Sequence, residues 1–263
     1  MKIATQGSIL NNLPLSQDTY HLSIGLSSFD VPILPGQFAQ LSTQGLHATF
    51  LKRPISVYGF YNHQLDFIYK VVGQGTSNLS DLLSGQKLEL IFPLGNSFSP
   101  PPTKTSKILL LGGGIGIAPL VYYVQYYQVL FPLASFTLYY GVTRERDKID
   151  LAIPDPLSGK FLFHADYKEN TYQGNLNEFY SKNSPETYDL VLACGPTPMM
   201  KAFSDYFLHK NTAMEVSLES NMACGYGVCL GCAFPTKKGS KTVCVDGPVF
   251  SSSIIDWDKV WKN

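Results

Sequence analysis

Lys107-Ile108-Leu109-Leu110-Leu111-Gly112-Gly113-Gly114-Ile115-Gly116-Ile117-Ala118-Pro119-Leu120-Val121 is the stretch from which the architecture of the chain is read. Lys107 to Leu111 is a short apolar strand, the glycines make a turn, and Ile117, Leu120, Val121 and Val124 recur at helical spacing. Further strands are expected at Phe136 to Tyr140, Phe161 to His164 and Tyr188 to Ala193, the last running into Cys194-Gly195-Pro196. Strands that alternate with helices imply a parallel, doubly wound sheet. Gly112-Gly113-Gly114-Ile115-Gly116 resembles a dinucleotide fingerprint, in which glycines let the backbone approach a pyrophosphate. It departs from the strict Gly-x-Gly-x-x-Gly, because Pro119 stands just past the place of the third glycine. Cys194 reads either as a small buried apolar residue or as a border of the ligand crevice at the carboxyl ends of the strands.

Ile108 to Thr143 carries no charged residue, which raises the question of a membrane span. Gly112 to Gly114, Gly116, Pro119 and Pro132 interrupt the run, and Gln125 and Gln128 lie among four tyrosines in its middle. Buried parallel strands also give continuous apolar runs, so no membrane span is expected.

Upstream, the periodicity is two. Tyr20, Leu22, Ile24 and Leu26 alternate with His21, Ser23, Gly25 and Ser27; Leu65, Phe67, Tyr69 and Val71 alternate with Asp66, Ile68, Lys70 and Val72. Asn62-His63-Gln64 forms a hairpin loop after a strand over Pro54 to Phe60, and Leu88, Leu90 and Phe92 continue the pattern. Several short antiparallel strands suggest a small barrel. It ends at Pro100-Pro101-Pro102-Thr103, a stiff linker. Arg53-Pro54-Ile55-Ser56 places a guanidinium at the head of a strand, suited to bidentate contact with a diphosphate. Gly73-Gln74-Gly75-Thr76-Ser77 opens a short helical pattern whose amino end can present N–H groups to phosphate oxygens. Taken alone, an Arg-Pro pair is usually a surface turn and Gly-x-Gly-Thr usually a loop with a helix cap.

Downstream, Cys224-Gly225-Tyr226-Gly227-Val228-Cys229-Leu230-Gly231-Cys232 is followed by Cys244, so four of the five cysteines share one segment. Cys-x4-Cys-x2-Cys with a distant fourth cysteine is the plant-type spacing for a 2Fe-2S cluster. Structural zinc is the competing reading, although zinc ribbons usually pair two short Cys-x2-Cys knuckles. A disulfide framework fits least, because Met1 to Gln6 lacks the apolar core of a signal peptide. A cytoplasmic location is expected on the same ground.

The chain has 263 residues, which at roughly 100 to 200 residues per domain suggests two domains. Twenty basic and twenty acidic residues cancel, so no electrostatic footprint for nucleic acid is present. Charged residues make up 15% of the chain, below the usual figure of about a quarter, as expected if a partner covers part of the surface. His21, His47, His63, His164 and His209 stand in no metal-ligand spacing.

Taken in order, Arg53 to Ser56, Gly73 to Thr76, Gly112 to Leu120, Cys194 to Pro196, and Met222-Ala223-Cys224 through Cys244-Val245-Asp246-Gly247-Pro248-Val249-Phe250 resemble the electron-transfer subunits of class 1B dihydroorotate dehydrogenase, within the ferredoxin-NADP reductase superfamily. The resemblance spans nearly the whole chain. It implies a multi-domain β plus α/β fold: an antiparallel FAD-binding β-barrel over 1–102, a doubly wound NAD-binding α/β domain over 103–217 and a small 2Fe-2S segment over 218–263. By the same resemblance Arg53, Pro54, Ile55, Ser56, Ile68, Tyr69, Lys70, Gly75 and Thr76 would bind FAD, and Cys224, Cys229, Cys232 and Cys244 would hold the cluster. Gly112, Gly113, Gly114, Gly116, Cys194 and Gly195 would meet NAD. NAD is favoured over NADP by resemblance alone, since Thr143-Arg144-Glu145-Arg146-Asp147 offers both charge signs.

The resemblance further implies an oxidoreductase subunit of pyrimidine biosynthesis, carrying electrons from the FMN of a catalytic dihydroorotate dehydrogenase subunit through 2Fe-2S and FAD to NAD+. The assembly would be a heterotetramer with two copies of each chain. No catalytic acid or base is nominated, because here the protein's part is orientation and tuning. Tyr226, Val228, Leu230 and Phe234 offer apolar surface for the partner, or else pack around the cluster. Two alternatives stand beside this reading: a related flavin subunit of an NAD(P)H:ferredoxin or sulfide oxidoreductase, and a non-catalytic binding module with a zinc-stapled tail.

Overall fold

The computed structural model describes residues 2–27, 31–42, 50–142, 149, 188–210 and 212–260, and the backbone of 161–166. The first part is a closed antiparallel barrel of β1 (Ile3–Pro14), β2 (Thr19–Gly25), β3 (Phe38–Leu41), β4 (Arg53–Tyr61), β5 (Gln64–Lys70) and β6 (Lys87–Leu94), in the order β1-β2-β5-β4-β3-β6. The period-two residues fill it: Leu22, Ile24, Leu65, Phe67, Leu88 and Phe92 are sealed in one core. The β4–β5 turn is Asn62-His63, both at positive φ (49° and 60°), the left-handed pair that a two-residue hairpin between right-twisted strands requires.

The outward face of the barrel departs from simple alternation at two places. Ser23 is buried because its hydroxyl donates to Asp66 at 2.5 Å, and Ile68 is buried because the second domain packs against it. Helix α1 (Gln74–Ser80) closes the end of the barrel between β5 and β6.

The second part is a six-stranded sheet. It contains β7 (Lys107–Gly113), β8 (Ser135–Gly141), β9 (Phe161–Asp166), β10 (Leu190–Cys194) and β11 (Ala213–Ser217), all parallel. Along β7 and β10 successive residues serve opposite faces: Leu109, Leu111, Val191 and Ala193 pack on one side, Ile108, Leu110, Leu190 and Leu192 on the other. Both faces are covered, so both alternating sets must be apolar. Helix α2 (Ile117–Leu130) covers one face and α3 (Thr197–Leu208) the other.

α2 explains the charge-free run. It is wedged between sheet and barrel, with Tyr122 donating to Ile33 O at 2.7 Å and Tyr123 to Ser99 O at 2.9 Å. Among the described residues no helix is long and apolar enough to cross a membrane.

The cysteine segment does not stand apart. Its hairpin, β12 (Ala233–Thr236) and β13 (Gly239–Thr242), leads to β14 (Val249–Ser251), which pairs antiparallel with β11 and completes the sheet. Cys232, Phe234, Val243, Cys244 and Phe250 share one core with Leu109, Val191 and Met199. Asn96 fastens this return to the barrel: its side chain donates to Asp246 O and Val249 O and accepts from Val249 N, all at 2.8 to 3.0 Å. Helix α4 (Trp257–Val260) follows.

Candidate functional site

Three places gather the chemistry. At the barrel edge, antiparallel register sets Arg53, Pro54, Ile55 and Ser56 of β4 against Leu41, Gln40, Ala39 and Phe38 of β3. On the other side of β4 runs the end of β5, with Val57 opposite Phe67. Arg53 then meets α1: a Cβ on Gly75 would lie 2.8 Å from Arg53 Cδ, so the absence of a side chain there gives the arginine its bed. Arg53 Nη2 donates to Leu51 O at 2.8 Å, while its Nε is buried with no partner. An unpartnered guanidinium nitrogen beside the amino end of a helix fits an anionic phosphate.

The other residues of this set serve differently. Thr76 Oγ1 accepts from Val72 N at 2.9 Å and so shapes the turn into α1. Lys70 pairs with Asp18 at 3.2 Å. Tyr69 points into the barrel, donating to Asn12 Oδ1 at 3.0 Å, and burial pushes its hydroxyl well above the ordinary range. Ile68 faces the sheet domain.

At the carboxyl ends of the parallel strands, Gly112, Cys194 and Ser217 lie side by side in register. The strand runs on to Gly113, two residues further than Leu111, so the turn proper is Gly114 to Gly116. Most of the glycines serve internal packing. A Cβ at Gly113 would meet Pro196 Cδ at 2.6 Å, one at Gly116 would meet Cys194 O at 2.4 Å, and one at Gly112 would approach Ile117 Cα to 3.2 Å. Gly195 is held against Gly113 in the same way, at 2.8 Å. Gly114, with φ +53°, faces open space. The motif therefore lets Cys194-Gly195-Pro196 lie directly on the turn, and the open ground is at Gly114. Burial, then the nearby Glu219 charge, pushes the Cys194 thiol far up against the pull of a Ser217 hydrogen bond, so it is a neutral thiol. Thr143 to Asp147, where nucleotide choice was sought, lies outside the described residues.

The third place is the cysteine loop. Positive φ at Gly225 (72°), Gly227 (82°) and Leu230 (57°) curls the backbone so that amides point at sulfur: Tyr226 N donates to Cys224 Sγ and Gly231 N to Cys229 Sγ, both at 3.4 Å. The Cys229 amide, then that of Tyr226, lowers the Cys224 thiol to about 6. Burial, then the neighbouring Cys232, raises Cys244 to about 11.

The thiols face one another: Cys224 interacts with Cys229, and Cys244 with Cys232 and with Cys224. Among the described residues no three His, Cys, Asp or Glu side chains converge as ligands of a single ion. Four neighbouring cysteines at this spacing fit a binuclear iron-sulfur centre, with amides already directed at two of the sulfurs. Cys232 and Cys244 are buried, whereas Cys229 is exposed between Val228 (82% exposed) and Leu230 (61%). Of the four residues left open between partner surface and packing, Phe234 belongs to the core, while Tyr226, like the neighbouring Val245, is exposed. A cleft of about 380 Å³ separates this loop from the barrel, lined by Gln40, Leu51, Lys52, Ile91, Ala223 and Cys224. Its lining includes Lys52, next to Arg53 in the chain.

Gln40 and Asn96 escaped the sequence reading. Gln40 had a signal, since it interrupts the apolar Phe38-Ala39-Gln40-Leu41; Asn96 had none beyond its place after a glycine.

Comparison with known proteins agrees with this geometry. The family described as the iron-sulfur cluster binding domain of dihydroorotate dehydrogenase B matches residues 219–256. Over 254 residues, 95% of this chain and 97% of the relative, the sequence is 33% identical to the dihydroorotate dehydrogenase B (NAD(+)) electron transfer subunit of Caldanaerobacter subterraneus subsp. tengcongensis. The protein of the same name from Clostridium acetobutylicum is 33% identical over 255 residues, 95% of this chain and 96% of its own. Among solved structures, an NADH-dependent reduced ferredoxin-NADP oxidoreductase has the same fold, with TM-score 0.82 at 24% identity over 97% of this chain and 91% of that one. A ferredoxin reductase of carbazole 1,9a-dioxygenase follows at TM-score 0.67 and 21% identity, over 80% of this chain and 67% of that one.

Proposed function

The chain belongs to the family of electron transfer subunits of NAD(+)-linked dihydroorotate dehydrogenase B, and from that membership we propose that it carries electrons from the FMN of a catalytic dihydroorotate dehydrogenase subunit to NAD+ during pyrimidine biosynthesis. The observation that carries the reading is the cysteine loop, with backbone amides directed at Cys224 and Cys229, held against the barrel strand that neighbours Arg53 by the Gln40–Ala223 hydrogen bond. When bound, nicotinamide supplies hydride exchange, flavin one- or two-electron exchange and the 2Fe-2S cluster one-electron exchange.

The chain's residues then have the following parts. Arg53, resting on Gly75, holds the FAD diphosphate; Pro54, Ile55 and Ser56 with Ile68, Tyr69, Lys70 and Thr76 build the edge on which the flavin lies, the buried members by shaping its backbone. Gly114 gives the NAD pyrophosphate its approach, and Gly112, Gly113, Gly116 and Gly195 bring neutral Cys194 to the nicotinamide end. Cys224, Cys229, Cys232 and Cys244 hold the cluster. Val228, Leu230, Tyr226 and Val245 face the catalytic subunit in a heterotetramer of two copies of each chain, located in the cytoplasm. The division at 1–102, 103–217 and 218–263 is proposed as the functional one, although the last segment also contributes a strand to the second.

The test is to purify the chain alone and with the catalytic subunit. Alone it is yellow-brown, contains FAD, iron and acid-labile sulfide, and reduces artificial acceptors with NADH without oxidising dihydroorotate. A colourless protein with stoichiometric zinc would overturn the reading. The fold likeness at TM-score 0.82 favours, as second reading, a flavin subunit of an NADH-dependent ferredoxin-NADP oxidoreductase. Failure of the dihydroorotate dehydrogenase subunit to copurify would select it.

A further inference from the structure

Strand β3 is the seam between barrel and cysteine segment. Ala39 and Leu41 point into the barrel core, while Phe38 on the other face packs in the core that holds Cys232, Val243 and Cys244. Gln40 shares the outward face with Phe38 and is 1% exposed. An amide sealed into such a seam costs stability unless it is hydrogen-bonded, and a hydrogen bond, unlike an apolar contact, fixes direction. Gln40 Nε2 donates to Ala223 O at 3.3 Å, one residue before Cys224. Its Oε1 stands 2.9 Å from where a Cβ of Gly225 would be, so the loop closes onto the amide from both sides of Cys224. On the barrel side, Gln40 is the register partner of Pro54, next to Arg53.

Lys2 reaches the same loop from the start of the barrel. Its Nζ donates to Gly225 O at 3.4 Å and lies 5.2 Å from the centroid of the Tyr226 ring. It sets a positive charge beside the loop that carries Cys224. The charge near an iron-sulfur centre and the hydrogen bonds around it are the levers by which a protein sets its potential.

We propose that Gln40 is a positioning residue that fixes the cluster loop, at Cys224, relative to the flavin-binding strand, and that Lys2 raises the potential of the cluster held there. The proposal rests on the iron-sulfur and flavin reading above. It assigns to the barrel, rather than to the cysteine segment, the setting of the distance between the two redox sites.

The experiment uses the full chain, first assayed for flavin, iron and sulfide. Absence of a 2Fe-2S cluster from the wild type refutes the function on which this rests; with the cluster present, the variants test the positioning alone. In Gln40→Met, which keeps the volume and removes the donor, amide exchange at Ala223 to Tyr226 rises. The cluster's electron paramagnetic resonance signal changes, and electron arrival at the cluster slows while NADH bleaches the flavin at the wild-type rate. Unchanged exchange, signal and arrival rate overturn the role of Gln40. Lys2→Gln alters an exposed side chain and so leaves folding intact, whatever the fate of the Gln40 variant. It lowers the cluster midpoint potential, and Lys2→Glu lowers it further; a potential identical in all three proteins overturns the role of Lys2.

Discussion

Replacing Arg53 with alanine tests the barrel-edge site at its most exposed assumption, that the guanidinium exists to hold phosphate. Of its donors, Nη2 is committed to Leu51 O at 2.8 Å, while Nε is buried with nothing to bond. A charge-assisted hydrogen bond contributes roughly 1.5 to 3 kcal/mol. Its loss therefore weakens FAD binding roughly 10- to 150-fold, at about 1.4 kcal/mol per decade. Gly75→Ala approaches the same point sterically: the new Cβ would stand 2.8 Å from Arg53 Cδ, so the arginine must leave its bed with its charge intact. Both variants should release flavin while keeping iron and sulfide, because Cys232 and Cys244 pack in the core of the parallel sheet and not in the barrel interior. Titration of flavin-free protein with FAD, followed by flavin fluorescence, gives the affinity. An R53A affinity within twofold of wild type would refute the phosphate assignment, and G75A binding like wild type would refute the claim that the arginine's position matters.

Cys244→Ser should lose or weaken the cluster and keep FAD, read by sulfide analysis beside the flavin spectrum. Gly116→Ala drives a Cβ to 2.4 Å from Cys194 O and should lower unfolding stability by about 1 to 3 kcal/mol in urea, even without nucleotide. Asp66 is subject to burial that raises its pKa, but the His21 imidazole 3.2 Å away and hydrogen bonds from Ser23 and Gln64 outweigh it and hold the carboxyl below the usual range. Its stabilisation is thus complete above the unfolded-state pKa and lost as pH falls through the depressed folded one; Asp66→Asn should flatten that acid limb in melting curves taken from pH 6 to 3. Val228→Asp with Leu230→Asp should abolish copurification with the catalytic subunit, losing about 2 kcal/mol or more of binding, with NADH-driven reduction of artificial acceptors unchanged.

Much of this was legible because it is periodic or spaced. Alternation in β2 and β5 and the apolar run of β7 are local consequences of which faces are covered, and the cysteine spacing is chemistry written in order. What stayed hidden depends on contacts between distant segments. Ile68, on the outward side of the β5 alternation, is buried because the sheet domain packs against it. Phe234 stayed open between partner surface and packing, because nothing local says that Trp257 and Leu109 share its core. The glycines were read as room for a ligand, yet Gly113 and Gly116 make room for Pro196 and Cys194, about eighty residues on in the chain. Asn62-His63 lacks the glycine that usually announces its turn. Gln40 went unnoticed, since the loop that encloses it comes from the far end of the chain.

The pairing of β14 with β11 bears on how the protein is made. β11 precedes Cys224 in the chain and β14 follows Cys244, so the ribosome delivers every cluster cysteine between the two halves of one strand pair. Until synthesis has passed Val249 to Ser251, β11 has an unpaired edge, the kind of surface on which chains aggregate. β11 is covered only when the four cysteines proposed to hold the cluster already exist, and a product truncated between them leaves that edge unpaired. Synthesis order thus couples completion of the nucleotide domain to possession of the wire that serves it.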